Sequence, residues 1–147
     1  DGGGVARLLN QIQSQCATLS QWPAIVRAYY GALRTLEAKY SRNPVKKLSS
    51  LQQGMAFMDQ AVWEEPDDVE VIFLRFAALH SMPSFLSDRE KRTGDLKKII
   101  RLLGRKDYRL ADKLTQQDMA VFLLQSDRLN AEEMAMMAQL REELAER

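Results

Sequence analysis

The apolar residues of this chain recur at three- and four-residue intervals, and they rarely alternate with polar ones as a half-buried strand requires. No Asn-Gly or Asp-Gly hairpin turn occurs. From about Val5 to Leu19, the residues Leu8, Leu9, Ile12, Cys16 and Leu19 fall at helical spacing. Trp22-Pro23 ends that segment and opens a second helix to about Tyr40, with Pro23 in the tolerated first turn. Its apolar stripe is Ile25, Tyr29, Leu33 and Leu36, widened by Ala28, Ala32 and Tyr40.

Asn43-Pro44 is a sharp restart, since Asn caps a helix well and Pro suits the position after it. The third helix runs to about Glu64 with a seam of Leu48, Leu51, Met55, Met58 and Val62, and Pro66 stops it. Asp67 or Asp68 caps a fourth helix carrying Val69, Ile72, Phe73, Phe76 and Leu79, closed by Pro83. Arg75 interrupts its apolar run. Ser87-x-x-Glu90 has the form of a capping box opening a fifth helix, with Gly104 at its exit. A short helix or turn follows around Tyr108–Leu114. Thr115-x-x-Asp118 begins a further helix, and Asn130-x-x-Glu133 caps a last one with Met134, Met137, Leu140 and Leu144 inward.

About seven helices joined by short connectors predict an all-α stack of antiparallel neighbours in one domain. Residues 5–147 form that domain, and Gly2 to Gly4 after Asp1 predict a flexible start. This start is either a cloning remnant or the beginning of a mature chain after signal removal, so both the cytoplasm and an exported, periplasmic location stay open.

Residues Gly54 to Pro66 resemble the second helix of a tetratricopeptide repeat, with Gly54, Met58, Ala61 and Pro66 in the positions of its small, large, small and turn residues. Small residues at 54 and 61 let a neighbouring helix approach closely. The wider stretch from Asn43-Pro44 through Glu64-Glu65-Pro66 to Met82-Pro83-Ser84-Phe85-Leu86 is similar to a family of uncharacterised bacterial tetratricopeptide-like proteins, some of them exported. The resemblance covers about residues 25–103 and implies an irregular tetratricopeptide-like stack, closed by capping helices over 104–147. It implies no activity.

Composition removes several function classes. The 147 residues carry 21 basic and 20 acidic side chains, a net charge of +1 that calls for neither nucleic acid nor a charged membrane. A single cysteine excludes an internal disulfide. One histidine, His80, cannot build a histidine-based metal site, and its place at a helix end suits a structural role. Cys16 lacks a readable base and reads as a small buried hydrophobe. The acidic cluster Asp59, Glu64, Glu65, Asp67, Asp68 and Glu70 lacks the spacing and glycine of a calcium loop, so capping and solvation account for it. No metal, cofactor or catalytic residue is expected.

Three function classes remain in order of weight. The first is a non-enzymatic interaction module whose partner is a protein, a peptide or another copy of the chain, with Tyr30, Met136, Arg92 and Arg101 as candidate contacts. Tyr30 lies off the apolar stripe of its helix, and Met136 lies off the face of Met134 and Met137. The second is an enzyme or small-ligand binder with a pocket between helices. The third is nucleic-acid binding through the basic segment 89–113, which includes Lys91, Arg92, Lys97, Lys98, Arg101, Arg105, Lys106 and Arg109.

Overall fold

A computed structural model describes residues 2–15 and 22–146. Among the described residues it contains seven helices and no strand: α1 (Gly2–Gln15), α2 (Ala24–Tyr40), α3 (Pro44–Glu64), α4 (Val69–Ser81), α5 (Arg89–Gly104), α6 (Lys113–Gln125) and α7 (Ala131–Ala145). Cys16 and the expected helix end at Leu19 lie outside the described residues.

Local chemistry sets most boundaries. The Asn43 side chain accepts from the N–H of Val45 at 3.0 Å and of Lys46 at 3.3 Å, and Pro44 follows as the first helical residue. Asp68 caps α4 through the N–H groups of Glu70 and Val71. Asn130 and Glu133 form the expected reciprocal capping box at 2.8 and 3.0 Å.

Four boundaries differ from expectation. The glycine run is the first turn of α1, which starts at Gly2, and a Cβ on Gly2 would stand 3.0 Å from Tyr40 Cβ. Asp88 rather than Ser87 caps α5, because the Ser87 hydroxyl donates to the Leu79 carbonyl at 2.7 Å. Gly104 is the last residue of α5, and the chain leaves through Lys106, whose φ of 54° is the left-handed one. No helix forms over 105–112. The buried Gln116 side chain pins that segment by donating to the carbonyls of Asp107 and Ala111, and Asp112 caps α6 in place of Thr115.

The tightest joint is where α2 crosses α3. A Cβ placed on Gly31 would lie 2.5 Å from the Gly54 carbonyl oxygen, and one on Gly54 would lie 2.6 Å from the Gly31 carbonyl oxygen. Only hydrogen fits at either place. The crossing fixes which face of α2 turns inward: Ala24, Ala28, Gly31 and Ala38 are buried, together with Arg27 and Tyr30. The large stripe Ile25, Tyr29, Leu33, Leu36 is therefore inward only in part: Ile25 and Leu33 pack at the edge of the core, and the other two face outward. Tyr29 is 43% and Leu36 41% exposed. The seam of α3 is likewise buried only at Met58, while Leu48 near its N-terminus is exposed and Gly54 and Ala61 beside the seam are buried.

The apolar core has three parts. Val5, Leu9, Trp22 and Tyr30 join α1 to α2. Ala24, Ala28, Ala61 and Val71 form a small-residue junction of α2, α3 and α4. The largest part fills α4 to α7 around Phe76, Ile99, Leu103, Leu123 and Met137. Of the last helix's expected inward residues, Met137, Leu140 and Leu144 are buried and Met134 is exposed.

Two arginines hold helices together by charge. Arg75 donates to both oxygens of Asp95 on α5 at 2.7 and 2.8 Å and to Asp59 on α3 at 3.0 Å, and Lys91 reaches the same Asp59 at 3.0 Å. The residue that interrupts the apolar run of α4 thus ties three helices. Arg27, 4% exposed, donates to the Trp22 carbonyl and to both oxygens of Glu64, joining the start of α2 to the end of α3.

Two stability outcomes follow. Gly31→Ala lowers stability by about 2 kcal/mol despite its better helix propensity, because the clash is with backbone. Gly94→Ala, in α5 with nothing within 4 Å of its added Cβ, raises stability by up to about 1 kcal/mol. Urea unfolding of both variants checks the opposite signs. Arg75→Met strands the buried Asp95 and lowers stability by about 3–5 kcal/mol, whereas Arg75→Met combined with Asp95→Leu recovers most of that loss.

Candidate functional site

Leu36, the last residue of the large α2 stripe, lines a groove between α2 and α4. A cavity of about 550 Å³ lies between Ala32, Leu36 and Lys39 of α2, Lys47 and Leu51 of α3, and Leu74, Ala77 and Ser81 of α4. The segment after α4 closes one side with Met82, Pro83, Phe85 and Leu86. Phe85 is 84% exposed, held out on the short loop that Pro83 begins. A second, smaller hollow of about 260 Å³ continues from Leu74 past Tyr29, Glu70 and Phe73 to Thr115, Asp118, Met119 and Phe122 of α6. Together the two hollows run across α2 and α4 to the start of α6.

The groove's chemistry is apolar with a cationic rim. Among the described residues Lys39 and Lys47 are its only charged lining residues. The Thr35 hydroxyl donates to the Ala32 carbonyl at 2.7 Å and that of Ser81 to the Ala78 carbonyl at 2.9 Å, so both serve the helix backbone. In the smaller hollow the Tyr29 hydroxyl donates to Glu70. Burial, and then the Glu70 carboxylate, push that hydroxyl up to about 12, so it stays a protonated donor near neutral pH. Among the described residues no group of three His, Cys, Asp or Glu side chains is placed to hold a metal ion, and no helix is long and apolar enough to cross a membrane.

The candidate contacts read from sequence are scattered. Tyr30 is 5% exposed and sits edge-on between Trp22 and Phe57, with ring centroids 5.2 and 4.8 Å away. It is a core residue, and its neighbour Tyr29 faces the smaller hollow. Met136 is exposed on α7. Arg101 is exposed on α5, and Arg92 near the start of that helix donates to the Ser87 hydroxyl at 3.0 Å. The basic segment is neutralised only in part: Lys91 meets Asp59, Lys98 meets Asp67, Lys106 meets Glu143 and Arg109 meets Asp107. The acidic cluster is likewise used one residue at a time. Asp59, Glu64, Asp67 and Glu70 each meet a partner on another helix, and Asp68 is a cap.

His80 lies at the end of α4, stacked on Phe76 at 5.9 Å and edge-on to Phe122 at 5.6 Å. Its Nδ1 accepts from Arg128 Nε at 2.6 Å, which requires that nitrogen to be unprotonated. Burial, and then the charges of Arg128 and Arg92, hold the imidazole below its ordinary 6.5.

Leu36, Lys39, Lys47 and Phe85 are the groove residues that sequence reading missed as a site. Phe85-Leu86 directly behind a helix-stopping Pro83 is the one signal that marks them, since large apolar residues in a short loop need a reason to be there. No known protein family, curated protein or solved structure matches the chain.

The His80 geometry fixes a pH dependence. With its folded value below 6.5, the unfolded chain takes up the proton first. The stability from neutral His80 is complete above that pH and is lost as pH falls below it. His80→Phe keeps the ring packing and abolishes this component. Between about pH 7 and pH 5, the wild type therefore loses more stability than His80→Phe in urea titrations.

Proposed function

We propose that this chain is a non-enzymatic protein-interaction module, a tetratricopeptide-like helical stack that receives an apolar helix or peptide in the groove between α2 and α4. The observation that carries the reading is the groove itself. It has an apolar floor, an exposed Phe85 at its edge, and Leu36 of α2 directed into it rather than into the core. A helix laid in a groove presents apolar anchors at three- and four-residue spacing, and this surface offers matching apolar walls on facing helices.

Two features weigh against catalysis in this groove. Its hydroxyls serve helix carbonyls, and its lining holds no carboxylate or imidazole to act as a base. Ion pairs at Lys91, Lys98, Lys106 and Arg109 interrupt the basic segment 89–113 and weaken it as a track for a phosphate backbone. A small apolar ligand is the second reading, because a cavity of about 550 Å³ falls within the size range of ligand pockets.

Peptide-display selection on the whole chain, followed by affinity measurement, tests the proposal. Selected peptides carry apolar residues at helical spacing, and Leu36→Asp and Phe85→Ala each weaken them about tenfold or more, while Met136→Ala leaves them unchanged. Equal binding by the groove variants contradicts the proposed site. Binding of small apolar probes with no selectable peptide favours the ligand reading.

A further inference from the structure

Most cations that face a neighbour in this protein meet a carboxylate, but two at the end of α4 do not. Arg92 comes from the first turn of α5 and Arg128 from the connection between α6 and α7. Among the described residues neither guanidinium makes an ion pair. Both are anchored to the last turn of α4 all the same. Arg92 donates one terminal nitrogen to Ser87 at 3.0 Å, and Ser87 donates to the Leu79 carbonyl at 2.7 Å. Arg128 donates Nε to Nδ1 of the next residue, His80, at 2.6 Å. The two guanidiniums are close enough that the charge of Arg92, after the effect of burial, holds Arg128 below its ordinary value, and both lower His80. Like charges brought together without an acid are costly, and the end of α4 offsets only about half a unit of charge.

We propose that Arg92, Arg128 and His80 form a binding site for a phosphate monoester dianion, with Ser87 holding Arg92 in place. After their anchoring bonds, Arg92 keeps Nε and one terminal nitrogen, and Arg128 keeps both terminal nitrogens. With Nδ1 accepting, neutral His80 carries its proton on Nε2 and offers a further donor. A carboxylate has two oxygens, which one guanidinium fork satisfies, whereas a phosphate monoester brings three oxygens and a charge near −2. That number of acceptors and that charge match two guanidiniums. All four side chains are partly exposed, so the ligand reaches them from solvent. The site lies beside the groove rather than in it, because Ser87 directly follows the groove residue Leu86. It stands or falls independently of the interaction reading.

The chain's single histidine makes the test direct, because the imidazole resonances report the site without assignment ambiguity. Titrating inorganic phosphate into the whole protein near neutral pH produces a saturable shift of the His80 signals and moves the imidazole midpoint upward. Potassium chloride at equal ionic strength does neither, and dimethyl phosphate, a monoanionic diester, binds more weakly. Arg92→Gln and Arg128→Gln each weaken phosphate about tenfold or more, while Lys97→Gln on the exposed face of α5 leaves it unchanged. If either Gln variant unfolds, Arg92→Lys and Arg128→Lys, which keep the charge but lose the fork, weaken binding to a lesser degree. Phosphoserine and glucose phosphate identify the source: tighter binding of the first points to a phosphorylated protein and of the second to a metabolite, and equal binding to a site that reads the phosphate group alone. A response no larger than that of chloride, or one that persists in the Arg92→Gln/Arg128→Gln double variant, overturns the site.

Discussion

Where α2 crosses α3, two helix backbones meet with nothing between them but hydrogen. A Cβ on Gly31 would stand 2.5 Å from the Gly54 carbonyl oxygen, and the reverse distance is 2.6 Å. Side chains do not set this separation, so the crossing has one geometry, and close backbone approach also brings Cα–H groups onto carbonyl oxygens. The consequence passes along α2. Ala24, Ala28, Gly31 and Ala38 turn inward with Arg27 and Tyr30, while Tyr29 and Leu36 turn outward and line hollows beside α4. The groove exists because the core of this hairpin is built from small residues.

Charge does for the upper helices what glycine does for the first pair. Arg75 stands on an otherwise apolar helix and binds Asp95, itself 4% exposed, and Asp59, so α3, α4 and α5 are fixed in register by one guanidinium. The remaining stability comes from the apolar core of α4 to α7, the most continuous in the molecule. Tyr29, Leu36, Val45, Leu48 and Trp63, all on α2 or α3, leave apolar surface uncovered on this pair of helices.

The helical character, the number of helices and most of their starts were legible because they depend on short-range chemistry. Asn43-Pro44, Asp68 and the Asn130–Glu133 pair are caps whose partners lie within a few residues. Where two adjacent residues could cap, as Ser87 and Asp88 can, a bond to distant Leu79 decided the matter. The inward face of α2 was not legible. Placing the largest apolar residues inside is sound when neighbouring helices stand a side chain apart, and it fails when two glycines bring them to backbone contact. Gly54 was readable as a close-approach residue. Its partner Gly31 was not, since no local pattern marks which glycine faces which. Tyr30 was assigned outward and Leu36 inward for that single reason, and the candidate site moved with them. Arg128 escaped notice because its partner His80 is 48 residues away.

The contact between Gly31 and Gly54 can be observed directly. Inter-helix nuclear Overhauser effects from their α-protons in the full chain measure it without any substitution. Strong cross-peaks between the two glycines are expected, with none from Leu36 to Met58. Absence of the glycine cross-peaks, with Leu36 instead in contact with Met58 of α3, would contradict this crossing.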